Sequence, residues 1–472
     1  MERITKKEHK GGGGPAYPPR VPIKNASARA GSARRSQSAG GFGNPPRVPM
    51  IIARRKQAFS VFGGAVEQVG DAETAAALAE LLAPDPGLAR ALTHGFHSYA
   101  GRMHPSTARA AIARFSQPGQ DVLDPFCGSG TVLVEAMAAG RKAVGSDASP
   151  LAVIIARVRS TTLGSEGRRC LVEGARQIAE AAAERARKRL RPDIPKWARR
   201  ESDRFFPHVA LELYGLRALI GETKEDDVGR ALRACLSSIL VKFMRGSEEA
   251  EARRIGRGVP SRFFASRAEE LAFGLEALER RTPAGTSVPQ IRVADARDLS
   301  AWGARRLCRR RAIVGGDGNP SRVPMSDGLA GDSFDLILSS PPYAGTYDYA
   351  EHHDVRFLWL GLPRENLDRV QVGARDDGLG SAAQRWHHDR RRWLSEMARV
   401  ARRGAAIILQ VGDGVVAGAP EDSARAVEDE ARRVGLVPVA RVSQTRPPHD
   451  YRLRQIFAGH QRREHIVMLR KP

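Results

Sequence analysis

The stretch "DVLDPFCGSGTVLVEA", residues 121–136, changes character twice. A short apolar run ends at Asp124 and Pro125, glycines follow at 128 and 130, and a series of helix-compatible residues begins at Thr131. Strand, glycine turn and helix in that order make one unit of an α/β protein. The glycines let backbone approach a ligand closely, at the carboxyl edge where such sheets bind their ligands. The turn is not the dinucleotide pattern G-x-G-x-x-G, because Thr131, Val132 and Leu133 follow Gly130; no lysine stands where a phosphate-binding loop needs one.

Working outward, six further apolar runs read as strands: 142–147, 291–296, 334–340, 405–413, 437–444 and 465–471. Helical patterns fit between most of them, notably "SPLAVIIARVR" after the second strand and residues 384–402 before the fifth. The last two runs are separated by too short a segment for a crossover helix and are expected to pair antiparallel. The expectation is an α/β fold with a seven-stranded, mainly parallel sheet and an antiparallel last strand. Between about 160 and 285 the pattern is helical throughout, which predicts a large insertion. The division expected is a basic, disordered tail at 1–56, a first part of the α/β domain at 57–160, the insertion at 161–288, and a second part of the α/β domain at 289–472.

The 472 residues carry 76 Lys and Arg against 53 Asp and Glu, a net charge of +23. That surplus favours a polyanionic partner, above all nucleic acid, though it says nothing of fold. Residues 1–56, rich in Gly, Pro, Ser and Arg, cannot bury enough apolar surface to fold alone. "YPPRVPI" at 17–23 returns in part as "NPPRVPM" at 44–50 and as "NPSRVPM" at 319–325, a unit far too short for a solenoid. Four scattered cysteines form no CxxC pair, which argues against a zinc ribbon or disulfide framework and suits a reducing compartment. No apolar run approaches membrane-spanning length, so the chain is read as soluble and cytoplasmic.

The first three predicted strands each end at or near an acid: Asp124, Asp147 and Asp295. Asp147 suits ribose hydroxyls. Any one such acid is more often a cap or turn residue; three together point to a ligand. The fourth strand runs into "SSPPYAGTYDYAEHH", 339–353, where Pro341 and Pro342 stop the ladder and stiffen the turn. His352/His353 and His387/His388 raise the question of a metal, but adjacent histidines rarely face one ion and no cysteine is spaced to join them, so none is expected. Tyr347, Asp348, Tyr349, His352 and His353 are read either as the mouth of a site or as a loop folding onto a helix near Ala350.

These motifs resemble the S-adenosylmethionine-dependent DNA amino-methyltransferases. "DPFCGSGT" is similar to their cofactor motif, "SSPPY" to their catalytic motif, and "FHSYAGRMHPSTARAAI", 96–112, to the element closing over the methionine end of the cofactor. The resemblance covers roughly 90–160 and 290–472 and implies a Rossmann-like class I methyltransferase fold. It implies that Tyr99, Asp124, Phe126, Gly128 and Gly130 line the cofactor, that Asp147 holds the ribose, and that Asp295 lies beside the adenine. It further implies that Ser340, Pro341, Pro342 and Tyr343 form the catalytic turn, and that the long gap between motifs houses target recognition. A packing or dimerisation role for the insertion stays open. The serine form of the turn is commoner among enzymes acting on N4 of cytosine; N6 of adenine is the alternative.

Methylating an aromatic amine requires its nitrogen lone pair to be oriented at the sulfonium methyl. Carbonyls of the Ser340–Pro341 turn and the Ser340 hydroxyl are placed to accept the amino hydrogens, and Tyr343 to stack on an extruded base. No general base or metal is needed before transfer. Other readings are a guanine amino-methyltransferase acting on RNA, a catalytically inactive nucleic-acid-binding protein, and an enzyme modifying a protein glutamine.

Overall fold

The computed structural model describes residues 64–83, 85–190, 202–245, 255–301, 328–364, 367, 370–373, 380–448 and 451–472. The tail 1–56 and all three proline-containing repeats lie outside these residues.

Eight strands form the main sheet: β1 Val66–Gly70, β2 Asp121–Asp124, β3 Lys142–Asp147, β4 Gln290–Val293, β5 Phe334–Ser339 and β6 Ala401–Gly412, then, after the hairpin β7 Gly414–Val416 and β8 Ala419–Glu421, β9 Val437–Thr445 and β10 Arg463–Arg470. Their order is β1-β9-β10-β6-β5-β2-β3-β4. Neighbours from β6 through β5, β2 and β3 to β4 are parallel. β10 runs antiparallel between β6 and β9. The chain winds outward from β2 to β3 and β4, then returns to start β5 on β2's other flank. That reversal opens a crevice at the carboxyl ends of β2 and β5, where open α/β sheets place their ligands. This is a Rossmann-like α/β fold.

The sheet has one strand more than the seven expected. In β1, Val-Glu-Gln-Val-Gly, only Val66 is even partly buried, so no alternation marks it as a strand. It is an edge strand held by its pairing to β9, register Val66 to Gln444. The central strands are legible for the opposite reason. Val122, Leu123, Leu336, Ile337 and Leu338 are fully buried on two faces and read as continuous apolar runs. One face packs with Ile112 and Leu133, the other with Trp393 and Leu394.

The insertion comprises the helices Gly164–Arg187, Pro207–Gly221, Asp227–Leu240 and Val259–Arg281. Their core is not separate from that of the α/β part. Phe96, Val158, Val355 and Trp359 bury themselves among Leu171, Leu213, Leu236 and Phe264. Trp359 stacks on Tyr214 at 4.7 Å and meets Phe205 edge-on. The buried carboxylate of Glu212 accepts from the Gly258 and Ser261 amides at 2.8 and 2.7 Å, satisfying the first turn of the last helix. A shared core of this kind holds the insertion rigidly beside the crevice.

Candidate active site

Asp124 ends β2 with its side chain 3% exposed. Its Oδ1 accepts from the Ser339 hydroxyl at 2.6 Å and from the Phe126 amide at 3.2 Å. Burial pushes the carboxyl up to about 7 in spite of those bonds. Asp147, at the end of β3, accepts from the Gly128 amide at 2.9 Å through Oδ2 and from the Ser149 amide at 2.8 Å through Oδ1. Burial raises it to about 6, the two backbone bonds opposing. The first loop and the second strand end are therefore tied through one carboxylate.

Tyr99, Asp124, Phe126, Gly128, Asp147 and Asp295 line one cleft together with Ser340 and Pro342. Three expected site residues stand elsewhere. Gly130 is at the start of the helix Thr131–Ala138 with φ 81°, and a Cβ there would lie 2.9 Å from that of Ala156. Its requirement is helix packing, not approach to a ligand. Pro341 is buried behind the turn. Tyr343 is 8% exposed and points away from the cleft, its hydroxyl donating to Glu464 at 3.1 Å. No face of its ring is presented to an incoming base.

Asp295 does line the cleft, but its carboxylate is gripped by Arg297, which donates to Oδ1 at 2.9 Å and to Oδ2 at 2.7 Å. The same guanidinium reaches Asp389 at 2.8 Å and the Val370 carbonyl at 3.2 Å. Arg297 thereby fixes a strap: Leu367, Val370, Gln371 and Val372 form a further wall of the cleft. Gln371 accepts from the Ala350 amide at 3.0 Å, closing the strap against the segment after the turn. Nothing in the periodicity of 367–373 marks it as part of a site.

The tyrosines and histidines after the turn divide. Tyr349 lines the cleft and stacks on Tyr99 with centroids 6.2 Å apart. His353 is fully buried beneath Tyr99 at 4.7 Å, and its Nδ1 accepts from Arg356 at 2.6 Å. A ring that accepts there is neutral with its proton on Nε2; burial and the neighbouring Arg356 both push its pKa down. It supports the wall and does not open onto the mouth. Among the described residues, one group has spacing suited to a cation, Asp413, Asp422 and His465. Its carboxylates already accept from Arg463, through the backbone amide to Asp413 at 2.8 Å and a side-chain nitrogen to Asp422 at 2.9 Å.

Beneath the glycine turn lies a buried charge network that the sequence did not announce. Arg159, fully buried, donates to the Ser129 hydroxyl at 2.7 Å, to the Thr93 carbonyl at 3.1 Å and to His94 Nδ1 at 2.6 Å. His94 Nε2 then donates to Glu135 at 2.8 Å, and Arg109 reaches the same carboxylate at 2.9 Å. Burial holds His94 down at about 4, consistent with a neutral ring passing one hydrogen bond between Arg159 and Glu135. The network holds the turn's backbone still from below. Above it, Thr131 lines the cleft with a buried hydroxyl that has no partner.

A family model described as a DNA methylase matches residues 94–157. The type II methyltransferase M.MjaII of Methanocaldococcus jannaschii is 39% identical over 66 residues, 14% of this chain and 12% of that protein. The type II methyltransferase M.MvaI of Kocuria varians is 24% identical over 312 residues, 61% of this chain and 63% of that protein. The chain thus spans less than two thirds of the length of either relative. Against the rRNA methyltransferase aviRa from Streptomyces viridochromogenes it is 14% identical, covering 80% of this chain and 89% of that one at a TM-score of 0.30. The fold assignment rests on the strand order above.

Proposed function

We propose that this chain, whose segment 94–157 carries the signature of the DNA amino-methyltransferases, transfers the methyl group of S-adenosylmethionine to an exocyclic amino group of a base in DNA, N4 of cytosine in the first instance. One observation carries the reading. The acids Asp124 and Asp147 and the turn residues Ser340 and Pro342, far apart in sequence, line the same cleft at the point where the sheet's winding reverses.

The residues fit the cofactor. Thr131 offers an unpartnered hydroxyl at the start of a helix, where a carboxylate is favoured. The cofactor supplies, when bound, an electrophilic methyl on a sulfonium. Asp147 is placed for ribose hydroxyls, and Asp124 for the positive end of the molecule, which would favour its ionised form. Tyr99, Phe126 and Tyr349 supply the apolar wall. In the same cleft, the Ser340 hydroxyl and the carbonyls of the proline turn accept the amino hydrogens and stabilise the positive charge that develops on nitrogen. Prolines hold these acceptors in advance, so little reorganisation is needed at the moment of transfer. The ammonium product is acidic and gives its proton to water, so no base is needed before transfer.

The charge of +23 suits a phosphate backbone. The helical insertion, rigid beside the cleft, is the candidate for target recognition, and the cytoplasm the compartment. An RNA guanine amino-methyltransferase and an inactive nucleic-acid binder are the competing readings.

The test is transfer of label from S-adenosylmethionine to a mixture of unmethylated genomic DNA and bulk tRNA, digested to nucleosides and separated. Label in a methylated deoxycytidine is expected; label in deoxyadenosine corrects the base. Label only in a ribonucleoside overturns the DNA substrate, and no label, with cofactor binding also absent, leaves the binder.

A further inference from the structure

The segment that follows the proline turn is bonded to two other elements. The Ala344 carbonyl accepts from the Val415 amide, in the hairpin of β7 and β8, at 2.8 Å, and the Gly345 amide donates to the Gly373 carbonyl, at the end of the strap, at 3.2 Å. Gly373 has φ 69°, and a Cβ there would lie 3.0 Å from Trp386 Cζ3 and 3.5 Å from Pro342 Cβ. A left-handed backbone in so close an approach calls for glycine. The residue thus touches the indole and the proline turn together.

The indole is itself pinned. Trp386, in the helix Gly380–Val400, is 8% exposed, and its Nε1 donates to Glu421 Oε2 at 3.0 Å. Arg390, one turn further along, donates to both oxygens of that carboxylate at 3.0 Å, with its guanidinium 5.5 Å from the centre of the Trp386 ring. Glu421 is the cross-strand partner of Gly414, the residue before Val415, so the contacts close into a ring: turn, Gly373, Trp386, Glu421, hairpin and back to Ala344. Val372 packs with Ala344 and Trp386 inside it. Trp386 and Glu421 stand outside the cleft, while Pro342 and Val372 line it. A strap pressed toward the indole meets a buried ring held by charge-assisted bonds, so the turn is the side that gives.

We infer that Trp386 is a positioning residue for methyl transfer: held by Glu421 and Arg390, it fixes the Gly373 backbone against Pro342 and so sets where the turn from Ser340 to Pro342 presents its acceptors. This rests on the methyl-transfer reading above. The strap is held separately at Val370, whose carbonyl accepts from Arg297 at 3.2 Å. The indole therefore acts on the turn and not on Asp124 and Asp147. Placement matters because an acceptor displaced by about 1 Å from the reacting geometry can cost about a hundredfold in rate.

Trp386→Phe keeps an aromatic ring but empties the space at Gly373 and removes the bond to Glu421. In the full chain, with unmethylated genomic DNA and labelled S-adenosylmethionine, it is expected to lower kcat by about tenfold, and Gly373→Ala by about ten- to a hundredfold. Kd for the cofactor should stay near the parent value in both. The double variant reads the contact itself. If the methyl added at 373 presses on the indole, the smaller ring makes room for it, and Gly373→Ala with Trp386→Phe should turn over faster than Gly373→Ala alone. Cofactor binding by calorimetry shows that each variant is folded; if Gly373→Ala is not, the kcat of Trp386→Phe decides. Trp386→Phe with the parent kcat overturns the inference. So do additive losses in the double variant, and so does a loss that appears in cofactor Kd with kcat unchanged. No transfer by the unaltered chain overturns the function reading itself, before any variant is compared.

Discussion

Asp124→Asn should make the cofactor-free protein more stable at pH 8, although it removes a residue assigned to the site. Both protein donors to Asp124, the Ser339 hydroxyl and the Phe126 amide, use Oδ1. An asparagine oxygen can take both, leaving its NH2 in place of Oδ2. What the change removes is the cost of a buried charge. Burial raises the carboxyl from 3.8 to about 7. Between those limits the folded chain holds a proton that the unfolded chain has released. Stability contributed by this group therefore falls as pH rises through the window and is level above about pH 7. Over the whole window the fall is roughly 4 kcal/mol, at about 1.36 kcal/mol for each tenfold change in proton affinity. Asparagine has no such window. Urea unfolding of the full chain should show the variant ahead by roughly 2–4 kcal/mol at pH 8, with the advantage smaller by roughly 2–3 kcal/mol at pH 5. An equal difference at both pH values, or a variant weaker at pH 8, would refute the ionisation argument. The same logic runs in reverse for the cofactor. A ligand carrying positive charge favours ionised Asp124, so cofactor affinity should rise with pH up to about 7, and Asp124→Asn should flatten that rise and weaken binding.

Gly130→Ala should cost roughly 2–4 kcal/mol in chemical denaturation, from a left-handed backbone and crowding against Ala156. Weaker cofactor binding with unchanged stability would contradict the packing role. Glu135→Gln leaves Arg109 and Arg159 without their buried counter-charge, and thermal unfolding should reveal a loss of about 3–5 kcal/mol. Trp359→Ala should cost about 3–5 kcal/mol, and amide exchange should accelerate in both the insertion helices and the segment after the proline turn. Acceleration in one alone would mean that their core is not shared.

What was legible in the chain was local. The run from Asp121 to Ala136 shows strand, turn and helix because each is set by residues a few positions apart, and the central strands show as apolar runs because both faces are buried. Asp124, Asp147 and Asp295 could be singled out because the acid stands at a strand's end, and the ends of parallel strands meet along one edge. The edge strand β1 was not legible, since four of its five residues are exposed and only backbone pairing to β9 makes it a strand. Arg297, Arg159 and the strap at 367–373 were missed for a related reason: each acquires its role from partners on other elements, and an arginine or a short Val-Gln-Val has no periodicity of its own. Tyr343 is the sharpest case. Its position after two prolines suggests an exposed ring, yet a glycine 69 residues on and a glutamate 121 residues on decide that it is buried.

By itself, then, the sequence determined the α/β class, the edge of the sheet at which a ligand would be met, and the two motifs that meet it. These follow from periodicity and from turn chemistry, which act over a few residues. The tertiary structure alone decided which motif residues face the cleft and which support it from behind. That choice turns on burial and hydrogen-bond satisfaction, and those depend on strands brought together from opposite ends of the chain.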